Sequence, residues 1–461
     1  MENSHLCELI RTFSPIEARE VLKFLKSPFF NQRTDVLKLF EWLLVTRQPT
    51  LTAAWEHLFA QRPFQETTLR LVMSYLHRLL EQYLSVKEVV SNEPLLDLHL
   101  ARAYRRRRML SAFERVKDGA QKKWDKNSAR DQYYLEARYQ LQWEDHQLTY
   151  TLRPTDVTRL HALSEAADAA FLARKLQIIC LTAAHQNVYT TTPEGIWQEE
   201  VIAKAETPEF TAMPAIAVFL YCYYMLRSPQ EEDHFRRFKE RLLLDAHKFP
   251  SADVHGLYIL AINYCVRQIN AGHTHYYGEA LEMYKRGLSD EYLMENGVLS
   301  RFSYGNIVAA ALQAGELDWA EQFIEQYKNK LEKQYRDSSY SYNLARVEFA
   351  KGRYGPVLDL LQRANYRDPL LNLGAKTLLL KTCYELRAFD LLESHIDAMR
   401  NYIHRKRVLG YHRTNYLNII RYMEKLMRLP AHDKTAMQQI AAAVQAEEVL
   451  SEKPFFLKAL S

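Results

Sequence analysis

Chain-breaking residues are scarce: 461 residues hold only 13 glycines and 15 prolines. That composition excludes collagen-like, flexible-linker and other low-complexity designs. Alternating apolar and polar runs, the mark of a half-buried strand, are missing as well. The five cysteines, Cys7, Cys180, Cys222, Cys265 and Cys383, lie far apart with no paired spacing. No disulfide framework or cysteine zinc site follows from them, and in helical context they read as small buried hydrophobes of a reducing compartment. The most apolar stretch, Ala212 to Leu226, is interrupted by Pro214 and falls short of the roughly 20 residues that span a bilayer. Met1-Glu2-Asn3-Ser4-His5 lacks the basic start and apolar core of a signal peptide, so a cytoplasmic chain without membrane association is expected.

What remains is helix-forming. Leu, Ala, Glu, Arg and Lys dominate, 48% of the residues are hydrophobic and 12% are aromatic, so an all-α protein with ample core is expected. Ser14-Pro15-Ile16-Glu17 is a capping box with proline at the first helical position, predicting a helix from Pro15 to about Lys26. Ser27-Pro28-Phe29-Phe30 ends it, with both rings expected to fold back onto the hairpin. Further helices are predicted over 34–45, 51–60 and 65–90, then two or three long ones from Pro94 to Tyr150. Pro154 should open a pair, with Leu160, Leu163, Ala167, Ala170 and Phe171 facing inward before a second helix from Leu176. Pro193 should open a short helix, and 230–247 should pair with the apolar helix.

From 251 onward the pattern repeats. Tyr277, Leu317, Tyr354 and Phe389 are equivalent starts of second helices, spaced 40, 37 and 35 residues apart. Three residues on stand Ala280, Ala320, Val357 and Leu392, and seven on stand Tyr284, Ile324, Leu361 and Ile396. Such a period with two helices each predicts a solenoid of stacked hairpins. The stretch Tyr304–Tyr327 is its plainest copy, with Gly315 supplying the left-handed residue between the helices.

Gly315-Glu316-Leu317-Asp318-Trp319-Ala320, Gly352-Arg353-Tyr354, Ala364 and Asp368-Pro369 resemble the tetratricopeptide repeat over roughly 250 to 405. The resemblance implies a right-handed α-solenoid whose concave face binds a peptide. The Ser-Pro-Phe-Phe-Asn turn is also similar to uncharacterised helical-repeat proteins of Bacteroidota, which implies no activity. The expected division is an N-terminal helical cap over 1–92, irregular hairpins over 93–250, and tetratricopeptide-like repeats with C-terminal capping helices over 251–461. The family's clamp for chaperone tails needs lysine, then asparagine four residues later. Tyr342/Arg346 and Thr377/Lys381 do not fit it, so that ligand is not implied.

No catalytic frame emerges. Gly374-Ala375-Lys376-Thr377 ends like a phosphate-binding loop, but Pro369 stands where its first glycine belongs. His273-Thr274-His275 lacks further metal ligands, and no nucleophile elbow or H-E-x-x-H is present. No enzyme activity, cofactor or metal is expected.

Charge is segregated instead. Eleven Lys or Arg against three acids lie between 101 and 130, a net of +8. Eight against Glu424 alone lie between 400 and 428, a net of +7, so with a total of +5 the rest of the chain carries −10. Arg105, Arg106, Arg108, Lys122, Lys123, Arg405, Lys406 and Arg407 are the candidate basic surface, and nucleic acid is the partner such a surface suits. The repeat register places Tyr342, Arg346, Phe349, Lys381 and Tyr384 in the candidate groove. Aromatic and cationic side chains there are the usual anchors for a peptide. A non-catalytic protein-interaction scaffold is therefore the expected function, with nucleic-acid association the alternative.

Overall fold

The computed structural model describes residues 1–186, 197–363, 366–405, 412–430 and 433–461. Among them the regular elements are helical, and the β features are isolated bridges, Glu295 with Val298 and Leu299 with Leu331. No helix among them is long and apolar enough to cross a membrane. The chain forms two compact units, Met1–Lys175 and Leu176–Ser461.

The first unit contains α1 (His5–Thr12), α2 (Pro15–Lys26), α3 (Thr34–Val45), α4 (Leu51–Phe59), α5 (Glu66–Ser91), α6 (Glu93–Arg106), α7 (Leu110–Lys126) and α8 (Gln132–Leu152). The boundary falls inside α9 (Leu160–Gln186). The second unit continues with α10 (Gln198–Ala205), α11 (Pro208–Thr211), α12 (Pro214–Arg227), α13 (Glu232–Asp245), α14 (Ser251–Asn270), α15 (Tyr276–Ser289), α16 (Arg301–Gln313) and α17 (Leu317–Tyr327). It ends with α18 (Arg336–Ala350), α19 (Tyr354–Arg363), α20 (Pro369–Glu385), α21 (Phe389–Arg405), α22 (His412–Met427), α23 (Lys434–Ala446) and α24 (Lys453–Ala459).

Local chemistry sets the first boundaries. The Ser14 hydroxyl accepts from the Glu17 amide at 3.2 Å while the Glu17 carboxylate accepts from the Ser14 amide at 3.0 Å, the reciprocal cap expected of this sequence. Leu39, Phe40, Leu69, Leu76 and Leu80 are fully buried where α3 and α5 pack together. Phe30 folds back onto Phe24, with ring centroids 4.0 Å apart, but Phe29 points outward at 86% exposure. The expectation that both rings fold back is thus corrected for Phe29, whose ring meets Phe30 edge-on at 4.9 Å instead of the hairpin. The pair of helices expected over 154–189 is a single helix, α9, because its alanine-rich middle carries no residue that breaks a helix. Its buried face is Leu163, Ala166, Ala170, Ala173 and Leu176, while Leu160 and Phe171 are exposed. The helix expected at Pro193 lies outside the described residues.

In the second unit α14–α15, α16–α17, α18–α19 and α20–α21 are hairpins closed by one kind of turn. Gly272, Gly315 and Gly352 take positive φ of 97°, 78° and 73°, and Arg387 takes 56° in the same place. Each turn returns two amides to the preceding helix. At the second, Gly315 N–H donates to Leu312 O at 3.3 Å and Glu316 N–H to Ala311 O at 2.9 Å, which satisfies carbonyls the helix end leaves open. Each helix packs on the next, and α16 also meets α18, α18 meets α20, and α20 meets α22.

The register read from the sequence sets the core. Ala280, Ala320, Val357 and Leu392, with Tyr284, Ile324, Leu361 and Ile396, are all buried. Burying a large apolar side chain stabilises by about 1.5–3 kcal/mol, so these positions hold the hairpins together rather than offer surface to a partner. All five cysteines are buried and free.

Candidate interaction site

The five candidate groove residues stand on the first helices of two hairpins. Tyr342, Arg346 and Phe349 sit on α18 at four- and three-residue spacing, which puts them on one face, and Lys381 and Tyr384 repeat that spacing on α20. The packing of α18 on α20 brings the two sets together.

The face they form is covered by the chain's own C-terminal segment. Lys381 Nζ donates to the Glu452 carboxylate at 2.8 Å, and the lysine side chain is only 15% exposed. The same ammonium lies 4.9 Å from the Phe349 ring and 5.1 Å from that of Phe455, close enough for cation–π attraction to both. Phe455 meets Tyr384 edge-on with centroids 6.0 Å apart and Phe349 at 6.4 Å. The segment is fixed behind these contacts as well. The Ser451 amide donates to Asn415 Oδ1 at 2.7 Å, Asn418 Nδ2 donates to Val449 O at 2.9 Å, and Phe456 is fully buried beside Tyr422.

Beneath the segment remains a pocket of about 150 Å³, lined by Tyr342, Arg346, Gly374, Thr377, Lys381, Tyr416, Ser451 and Glu452 among others. Arg346 Nη1 donates to Gly305 O and to Asn343 Oδ1, both at 3.0 Å. Gly374 lets the Tyr342 ring lie against α20, since a Cβ there would stand 2.6 Å from the tyrosine oxygen. Burial raises the Tyr342 phenol above its ordinary range, and burial beside Tyr342 and Glu452 pushes Tyr416 up to about 12. Both phenols are therefore neutral hydrogen-bonding groups at pH 7.

Sequence reasoning missed Tyr416, Glu452 and Phe455, and considered Gly374 only in a rejected phosphate-loop frame. The one signal for Glu452 and Phe455 was the run Glu452-Lys453-Pro454-Phe455-Phe456, a proline-initiated helix start with an aromatic pair.

The basic stretches divide between paired and free charge. In the first unit Arg102 and Arg105 both reach Glu144, at 2.7 and 2.5 Å, and that carboxylate is only 3% exposed. Burial alone would raise the Glu144 carboxyl, but the two guanidinium groups outweigh it and hold the group below its ordinary range. Lys117 pairs with Glu114 and Asp145, and Lys123 with Glu93 and Asp97. Arg130 lies over the Tyr134 ring and donates to backbone carbonyls of the turn. Arg106, Arg108, Arg115, Lys122 and Lys126 are exposed and meet no acid among the described residues. Arg108 occupies the left-handed position of the α6–α7 turn, with φ 56°. In the second unit Arg400 pairs with Asp397 and Glu424, and Arg421 with Glu447, while Arg405 is exposed. Lys406 and Arg407 lie outside the described residues.

No family model, curated protein or solved structure matches the chain.

The two histidines considered as ligands, His273 and His275, have ring centroids 6.3 Å apart, and His275 leans toward Glu232 at 3.5 Å. Among the described residues no three His, Cys, Asp or Glu side chains are placed to hold a metal ion.

Proposed function

We propose that the chain is a cytoplasmic, non-catalytic protein-interaction scaffold. In this reading the hairpins form a right-handed, tetratricopeptide-like solenoid with the N-terminal helices as its cap, and a partner's peptide docks on the α18–α20 face. One observation carries the reading: that face already grips a peptide-like segment. A carboxylate on Lys381 and an aromatic ring set among Phe349, Lys381 and Tyr384 are the contacts made by Glu452 and Phe455. A partner presenting an acid followed three residues later by an aromatic would make the same contacts by exchange with the C-terminal segment. Repeated left-handed turns and helix-on-helix packing support the repeat architecture, and five buried free cysteines support a reducing compartment. Affinity capture from the source cell with Arg346→Glu and Lys381→Glu tests it. The double variant should lose partners the wild type retains; the same partners on both would reject the groove.

A second reading rests on the exposed cations of α6 and α7. Arg106, Arg108, Arg115, Lys122 and Lys126 could contact a phosphate backbone, and such binding weakens steeply with salt. Lack of RNA or DNA binding at about 50 mM salt, or binding indifferent to salt, would reject it.

A further inference from the structure

The pocket under the C-terminal segment has a charge that the chain does not balance. Lys381 is neutralised by Glu452, but Arg346 meets no carboxylate among the described residues. Its Nη1 is held by neutral oxygens of Gly305 and Asn343, which fixes the guanidinium and leaves Nε and Nη2 as spare donors. Arg346 is half-buried and these donors are open to the pocket, where an anion can take the place of water. Around it stand further hydrogen-bonding groups: the phenols of Tyr342 and Tyr416, neutral at pH 7, and the hydroxyls of Thr377 and Ser451. Thr377 spends its proton on Leu373 O, so the neutral donors left to an anion are Ser451 and the two phenols. Two cations against one carboxylate, with those hydroxyl donors, suit one small anion.

We infer that this pocket binds a small free oxyanion, of the size of phosphate, with Arg346 as its principal partner. Size limits the ligand. At about 150 Å³ the pocket is well below the ~300 Å³ at which sites for drug-sized molecules begin, which excludes nucleotides and leaves a few-atom anion. Glu452 and Ser451 form part of the wall, so the anion would sit against the C-terminal segment. The inference rests on the pocket's own geometry and stands or falls apart from the scaffold reading.

Inorganic phosphate is the probe, titrated into the full-length protein against sodium chloride at matched ionic strength, with thermal midpoint and 31P line width as readouts. The wild type should show a saturable rise in midpoint with half-effect below about 10 mM. Arg346→Gln should abolish it, and Arg346→Lys, which keeps the charge, should restore part. Glu452→Gln keeps the hydrogen bond to Lys381 and removes a nearby negative charge, so it should tighten phosphate at least about threefold. That last arm decides the matter if Arg346→Gln does not fold. Absence of saturation in the wild type overturns the inference. So does equal binding by a folded Arg346→Gln protein, or weaker binding by Glu452→Gln.

Discussion

Gly374→Ala separates the general behaviour of helices from the packing of this one. In an ordinary helix interior, alanine is better than glycine by about 0.8–1.0 kcal/mol. Gly374 lies within α20, so propensity alone forecasts a gain. A Cβ there would stand 2.6 Å from the Tyr342 oxygen and 3.0 Å from Cζ, well inside contact distance. The ring lies with the Arg346 guanidinium 5.7 Å from its centroid, so swinging away would give up that cation–π contact as well as its packing on α20. Overpacking of this kind costs about 1–3 kcal/mol, which outweighs the propensity gain. The substitution should therefore destabilise by up to about 2 kcal/mol. In a Tyr342→Leu background the obstruction is gone, and the same change should stabilise by up to about 1 kcal/mol. Urea unfolding of the four proteins gives the coupling directly, provided the slope stays constant. If Gly374→Ala stabilises equally in both backgrounds, Tyr342 does not rest against α20 and the described wall of the pocket is wrong.

Four further outcomes follow from single residues. Gly315→Ala should destabilise by about 1 kcal/mol because φ is +78° there, while Arg387→Gly relieves the same backbone region and should stabilise by about 0.5–1 kcal/mol in thermal or urea unfolding. Glu144→Gln removes the carboxylate shared by Arg102 and Arg105 and should cost about 2–3 kcal/mol at pH 7. Because the folded Glu144 carboxyl lies below its ordinary range, its contribution is complete above the unfolded pKa and fades as pH falls through the lower folded value. The gap between wild type and Glu144→Gln should thus narrow on acidification below about pH 4, and a gap independent of pH would contradict the pairing. Phe456→Ala empties a fully buried site beside Tyr422 and should cost about 3–5 kcal/mol by urea unfolding, with the C-terminal segment loosened.

The sequence revealed most where the physics is local or periodic. Ser14 and Glu17 are three residues apart, so their reciprocal cap was legible, and so was the left-handed turn at Gly315. The buried face from Ala320 to Ile324 followed from helical period alone. Glycine is also why the fourth turn was harder to see: Arg387 does the same work against its own preference, held by the Schellman bonds from Arg387 N–H to Tyr384 O and from Ala388 N–H to Cys383 O, both 3.0 Å. The single long α9 was read as two helices divided between Phe171 and Leu176, although no glycine or proline stands there to break it. What no local pattern carries is the partner of a side chain distant in sequence. Lys381 was placed on a first helix from the repeat register, but its carboxylate is Glu452, 71 residues on. Arg105 was counted with the basic surface for the same reason, since Glu144 reaches it from another helix.

In the proposed function the α18–α20 face is a peptide-binding surface occupied by the chain's own C-terminal segment. The most direct measurement of that claim is fluorescence anisotropy of a labelled peptide spanning 448–460, titrated with full-length protein carrying Glu452→Ala and Phe455→Ala. Saturable binding tighter than about 100 μM is expected, weaker in the wild type, whose own segment competes, and lost when Lys381→Glu is added. No saturable binding by the opened protein, or binding indifferent to Lys381→Glu, would contradict it.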